Sequence, residues 1–296
     1  MFKLNNIIIP ACLLLALANP MFGQNNANYD INEQINSNVN WSQYDKKIRP
    51  AQKDSAINYL FLNSDYCSSR NSGFYDSLQY FSSAHSKNIH LIDIDNDKDQ
   101  DIIFDGKSCP GVEGGVVDIY LNDKDNYKKV LAESGKAIKV ENMNGHFLIS
   151  IYQYPCCAEI QNTITNFSFN QSLNTFDTIS IDFFVTCQVG NGEFIPKKLK
   201  PSAKFNCIAD STYLRWKPSN TEKCIHGNRD ITLGVVLPKS ISGLVLCISP
   251  DKEWAFVVLD YDSNISIHGV HSPNTKMKTI TKIYGWLPLK EIKCGN

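Results

Sequence analysis

Short apolar runs separated by turn-prone residues dominate this chain, and no long stretch carries a helical period. From about residue 58 to 188 the runs read "NIHLIDID", "DIIFDG", "VVDIYLND", "HFLISIYQY", "NTITNFSFN" and "TISIDFFVTC", with Gly, Asn and Asp between them. That pattern predicts a meandering antiparallel sheet. A second set of β-like runs fills about residues 205 to 296, after a Gly- and Pro-punctuated linker over 189–204. Residues 24–57 are rich in Asn, Gln and Ser and read as a weakly ordered arm. "DSAINYLFLNSDY" reads as either a short helix or a first strand. The fold class expected is all-β.

One stretch breaks the pattern. "LIDIDNDKDQDIIF", residues 91–104, places aspartate at 93, 95, 97, 99 and 101. As a continuous strand it would line up five like charges roughly 7 Å apart on one face, in an element depleted in Asp. If the chain instead curls into a tight loop, the carboxylates converge, and a hard divalent cation supplies the counter-charge. The chemistry is that of an EF-hand, but the twelfth loop position, where that motif needs Glu, is Phe104, and strands flank the loop.

Residues 60–185 resemble the calcium-loop repeat of FG-GAP/VCBS proteins, the blades of integrin-α-like β-propellers. There a strand enters an Asp-x-Asp-x-Asp-x-x-x-Asp loop and leaves through a short apolar strand, the order of "HLIDIDNDKDQDIIFDG". The resemblance implies Ca2+ held by the side chains of Asp93, Asp95, Asp97 and Asp101, with Asp99 giving its backbone carbonyl. Two positions depart from the repeat: the family has Gly at the fourth and sixth loop positions, and this chain has Asn96 and Lys98. Only one clear repeat is visible, and "KVENMNGHFLISIYQY" reads as a degenerate second. The expectation for 58–188 is therefore an incomplete, propeller-like antiparallel sheet domain.

Residues 205–294 resemble the bacterial SH3-like (SH3b) domain. Leu214, Arg215, Pro218 and Ser219 match its opening stretch, Gly243 its Gly-led strand, Trp254 and Val257 its Trp-x-x-Val strand, and Gly285 and Trp286 its closing pair. The resemblance implies a small β-barrel with a recognition groove. Trp254 and Trp286 are its candidate ligand contacts, although filling the barrel centre is the commoner use of such rings. It also makes the first and last strands neighbours, so that Cys207 and Cys294 can form a disulfide.

Composition narrows the function. The 296-residue chain has a formal net charge of −1 and no basic tract, which gives no reason to expect nucleic acid or an anionic membrane surface as partner. "MFKLNNIIIPACLLLALANPMFG", residues 1–23, reads as a secretory signal peptide, and no later segment is apolar enough to span a membrane. Export to the periplasm or beyond fits the ten cysteines, nine of them after the signal, with disulfides as the default state. Spacing does not fix their connectivity. Cys67 with Cys109, and one of Cys156 or Cys157 with Cys187, are the preferred pairings. No Gly-x-Ser-x-Gly elbow, His-Glu-x-x-His helix or phosphate-binding glycine loop occurs, and the histidines are scattered singly. The expected protein is a secreted, non-catalytic binding protein of the cell envelope, with peptidoglycan, peptide or protein as ligand. A cell-wall hydrolase or its accessory subunit, and a purely structural envelope protein, are the alternatives.

Overall fold

A computed structural model describes residues 31–45, 48–67, 69, 77–107, 114–124, 126–143, 146–153, 161–185, 195–196, 199–219, 224–226, 229–231, 234–261, 265–267 and 280–295. The expected signal peptide, and Cys109, Cys156, Cys157 and Cys187, lie outside the described residues. The fold is all-β in class, with a few short helices. The chain divides into two compact units: Ile35–Cys156 with Ile164–Ser180, and Ile181–Asn296 with Met1–Gln34 and Cys157–Thr163.

Helices come first: α1 (Ile31–Asn36), α2 (Ser42–Asp45), α3 (Pro50–Asn63) and α4 (Leu78–His85). In α3 the first helical position is Pro50, where no N–H is needed, and the Gln52 side chain accepts the Arg49 N–H at 3.1 Å. The polar composition of 24–57 does not keep all of it a tether. Ile35 is buried, Ser37 Oγ donates to the Ile138 carbonyl at 2.8 Å, and the Tyr44 hydroxyl donates to the Val140 carbonyl at 3.1 Å.

Eight strands follow: β1 (Ile89–Ile92), β2 (Asp101–Gly106), β3 (Val116–Asp123), β4 (Asn126–Ser134), β5 (Lys136–Met143), β6 (His146–Gln153), β7 (Gln161–Asn170) and β8 (Thr175–Val185). β1 to β4 form one antiparallel sheet in sequence order, and β5 to β8 are also neighbours in sequence order. These are two four-stranded meanders rather than a closed ring.

Both faces of the first meander are covered. Ile89, Leu91, Ile102 and Phe104 pack with Ala56, Leu60 and Phe81 of the helices. Ile92, Ile94, Ile103 and Ile119 pack with Val140, Phe147, Ile149 and Phe167 of the second meander. This is why "IHLI" and "DIIF" read as unbroken apolar runs and not as alternation.

The second unit holds β9 (Ala203–Cys207), β10 (Ser211–Arg215), β11 (Cys224–His226), β12 (Arg229–Ile231), β13 (Gly234–Pro238), β14 (Ser242–Ile248), β15 (Trp254–Asp260), β16 (Ser266–Ile267), β17 (Ile280–Pro288) and β18 (Ile292–Gly295). Its ladder runs β18-β9-β14-β15-β17, and β10, β13 and β16 continue it from β17. The first and last strands are neighbours, as expected, but the closed barrel is not formed among the described residues. The free edge of β17 is already used. Ile280–Tyr284 pair in parallel with Ile181–Phe184 of β8, and this leaves β10 a single pair, Arg215 opposite Trp286. The sheet still curls around one core that includes Phe205, Leu214, Leu237, Val257, Ile283 and Leu287.

Two glycines of the SH3b-like pattern have a packing reason. A Cβ on Gly285 would lie 2.5 Å from Leu214 Cγ and 3.1 Å from the Arg215 carbonyl oxygen, where β10 crosses β17. On Gly243 it would lie 2.3 Å from the Val258 carbonyl oxygen. Gly285→Ala is therefore expected to destabilise the protein by about 1–3 kcal/mol. Tyr213→Ala, at a half-exposed position on β10, should change stability by much less. Thermal melts of the two variants check this.

Candidate metal centre

The acidic stretch is strand, loop, strand. β1 ends at Ile92, β2 begins at Asp101, and the intervening residues turn back on themselves. Asn96 has φ 65° and Lys98 φ 82°. These are the two positions where the resembling repeat has glycine, so the backbone takes the left-handed turns without it. Asn tolerates that conformation, and a long side chain such as Lys adopts it at a cost. Side chains then cap the loop from inside. Asp95 Oδ1 accepts the Asp97 N–H at 3.3 Å, Asp97 Oδ1 accepts the Asp99 N–H at 2.9 Å, and Asp93 Oδ2 accepts the Lys98 N–H at 3.2 Å.

Three of the five aspartates converge. Asp93, Asp95 and Asp101 each place a carboxylate oxygen within 4.8 Å of the others. Asp97 and Asp99 are not in that group. Asp97 is exposed and caps the turn, and the Asp99 carbonyl accepts from Gln100 Nε2 at 3.3 Å. The expected ligand set is thus assembled in part.

Asp101 closes the loop. It has no exposed surface, and its carboxylate accepts the Ile94 N–H at 2.7 Å and the Asn122 N–H at 2.8 Å. It therefore ties the loop to β3. Asn122 adds a side-chain donation to the Gln100 carbonyl at 3.3 Å, and Asn142 of β5 donates to the Asp93 carbonyl at 3.1 Å. Neither asparagine was singled out by the acidic spacing. Asn122 sits in "LND", a strand-end segment that signalled a turn, and Asn142 in "ENMN", read as part of a degenerate second repeat and not as a partner of this loop.

The cluster is electrostatically loaded. Burial pushes the Asp101 carboxyl up to about 7, against the pull of its two N–H partners, and the nearby Asp95 and Asp97 raise it further. Burial and the adjacent Asp97 push Asp99 up to about 6. Asp95 is raised by burial and then by Asp97. Two carboxylate oxygens of the loop, Asp93 Oδ1 and Asp99 Oδ1, are buried with no hydrogen-bond partner among the described residues. Carboxylate oxygens, several of them buried, are a donor set for a hard cation such as Ca2+. Residues that fit it here are Asp93, Asp95 and Asp101.

The other predicted site residues separate. Trp254 and Trp286 are 4% and 5% exposed, and Trp286 meets Phe256 edge-on at 5.3 Å between centroids. The structure gives them packing work. Cys207 and Cys294 sit on adjacent strands but out of register, Cys207 opposite Ile292 and Cys294 opposite Phe205. The expected bond between them is not made, because Cys207 is a free buried thiol, raised to about 11 by burial and then by Glu291. Cys67 in the first unit and Cys294 in the second are each disulfide-bonded.

No family model matches the chain, and no curated protein matches it.

The two roles within the loop are separable. Asp101→Ala strips acceptors from two buried N–H groups and should cost about 2–4 kcal/mol in chelator. Asp95→Asn in chelator should be neutral or stabilising, because it removes a like charge. Denaturant titrations of both variants in EDTA check this.

Proposed function

We propose that this chain is an exported, non-catalytic binding protein of the cell envelope whose first β unit is stabilised by calcium at the acidic loop. The observation that carries the metal reading is the convergence of Asp93, Asp95 and Asp101 within 4.8 Å. The buried, unpartnered oxygens of Asp93 and Asp99 support it. A bound cation would offset the burial and like-charge costs that raise the carboxyls of Asp95 and Asp101, and would fix the ends of β1 and β2 on β3 and β5. Calcium here is a structural ion.

A binding role fits the remaining chemistry better than catalysis does. His85 and His90 are buried, and burial pulls both imidazoles below their ordinary range. The Cys207 thiol is held protonated. The second unit, with its SH3b-like order of motifs, is the proposed recognition module for a peptidoglycan, peptide or protein ligand.

Calcium at about 1 mM is expected to raise the melting temperature by several degrees, and Asp93→Asn with Asp95→Asn should abolish the rise. An unchanged melt would remove the metal from the account.

The rise should also depend on pH. In chelator, the Asp101 carboxyl, raised to about 7, contributes stability that is present at low pH and lost as pH rises through 7. Bound calcium holds the ionised form, so its gain in melting temperature should be larger at pH 8 than at pH 5.5. His90, lowered to about 4 by burial, acts in the opposite sense with or without calcium: its contribution is present above about 6.5 and lost as pH falls through 4. Melts with and without EDTA at each pH separate the two.

A further inference from the structure

A second concave site lies in the first unit, away from the aspartates. Asn38, Val39, Trp41, Lys87, Asn88, His90, Asp105, Lys107, Lys136 and Ala137 line it, with the backbone of Gly106, Gly115 and Gly135, around a cavity of about 320 Å3. We propose that this cavity binds a small sugar-like organic anion, its charged group held by Lys87 and Lys107 and a C–H face of its ring set against Trp41 and Val39.

The walls are built and internally satisfied. Trp41 stacks on His90 with centroids 4.0 Å apart and planes 7° from parallel. Its Nε1–H donates to Asp105 Oδ2 at 3.3 Å, and Asp105 Oδ1 accepts the Ala137 N–H at 3.1 Å. The one acidic side chain in the lining is thereby engaged by the wall itself. His90 Nδ1 lies 3.2 Å from Asp45 Oδ2, which fixes the ring. Part of the lining is closely packed backbone: a Cβ on Gly115 would lie 2.3 Å from the Gly135 carbonyl oxygen, so only glycine fits there.

Charge then decides the ligand class. Three lysines and one half-buried carboxylate line the cavity. Lys136 leans toward the wall, with Nζ 3.4 Å from the Ser37 carbonyl oxygen and Asp105 acting on its charge. Lys87 and Lys107 have no ion-pair or hydrogen-bond partner among the described residues, and the amides of Asn38 and Asn88 add donors beside them. A cleft with one sign of charge and low-dielectric walls concentrates the opposite sign. The cavity is at the small end of the range for small-molecule sites, and its mix of a few polar groups with an aromatic wall is their usual make-up. Lysine ammoniums act as point charges, so carboxylate and phosphate share the chemistry.

The test is titration of the full exported chain with glucuronate, glucose 1-phosphate and glucose, each to about 10 mM, followed by tryptophan fluorescence and calorimetry. Either anion should change the Trp41 emission and glucose should not. The stronger of the two tells carboxylate from phosphate. Lys87→Gln with Lys107→Gln should weaken the response about tenfold while leaving the melting temperature unchanged. Trp41→Phe should lose the optical signal and keep a calorimetric one. Equal binding of glucose, no response to either anion, or an anion response unaltered in the double lysine variant would each overturn the assignment.

Discussion

A carboxylate with no exposed surface governs the first unit. Asp101 sits where the acidic loop re-enters the sheet, and its two oxygens hold the Ile94 and Asn122 N–H groups at 2.7 and 2.8 Å. Without it, the tie of the chain between β1 and β2 to β3 would rest on the Asn122 side-chain donation to the Gln100 carbonyl. With it, a carboxyl is buried beside Asp93 and Asp95, and burial first, then the charges of Asp95 and Asp97, push its ionisation up to about 7 against the pull of its N–H partners. The loop is well connected through its backbone and strained in its charge. A cation bound among these carboxylates would offset that charge.

The rest of the unit follows from how the flanking strands are buried. β1 and β2 are covered on one face by α3 and α4 and on the other by the second meander. Their ends are therefore fixed, and the loop between them has little freedom except in its side chains. Asn142 links the Asp93 carbonyl to β5, so an ion at the loop would act on both meanders. Buried aliphatic packing supplies most of the stability of such a unit.

Much of this was legible in the residues, and the parts that were not share a cause. The alternation of aspartates is local, and so is the need for a turn with φ > 0 at Asn96 and Lys98; both could be read from a dozen residues. The all-β class could be read from short runs and turn residues. Which aspartates converge could not, because Asp97 is used to cap Asp99 and Asp101 is set by β3, a partner twenty-one residues away. The open sheet of the second unit has the same origin: β17 gives its edge to β8, about a hundred residues earlier in the chain. Polar residues near the start misled for a related reason. Trp41 and Tyr44 are isolated aromatics in a poor composition, and their role appears only where β2 and β5 meet them.

The central claim is that the carboxylates of this loop share one structural cation. Equilibrium dialysis of the full chain against labelled calcium measures it directly. One ion is expected to bind per chain at millimolar free calcium, and none in a variant carrying Asp93→Asn and Asp95→Asn. Failure of the unaltered chain to retain calcium, or equal retention by the variant, would contradict it.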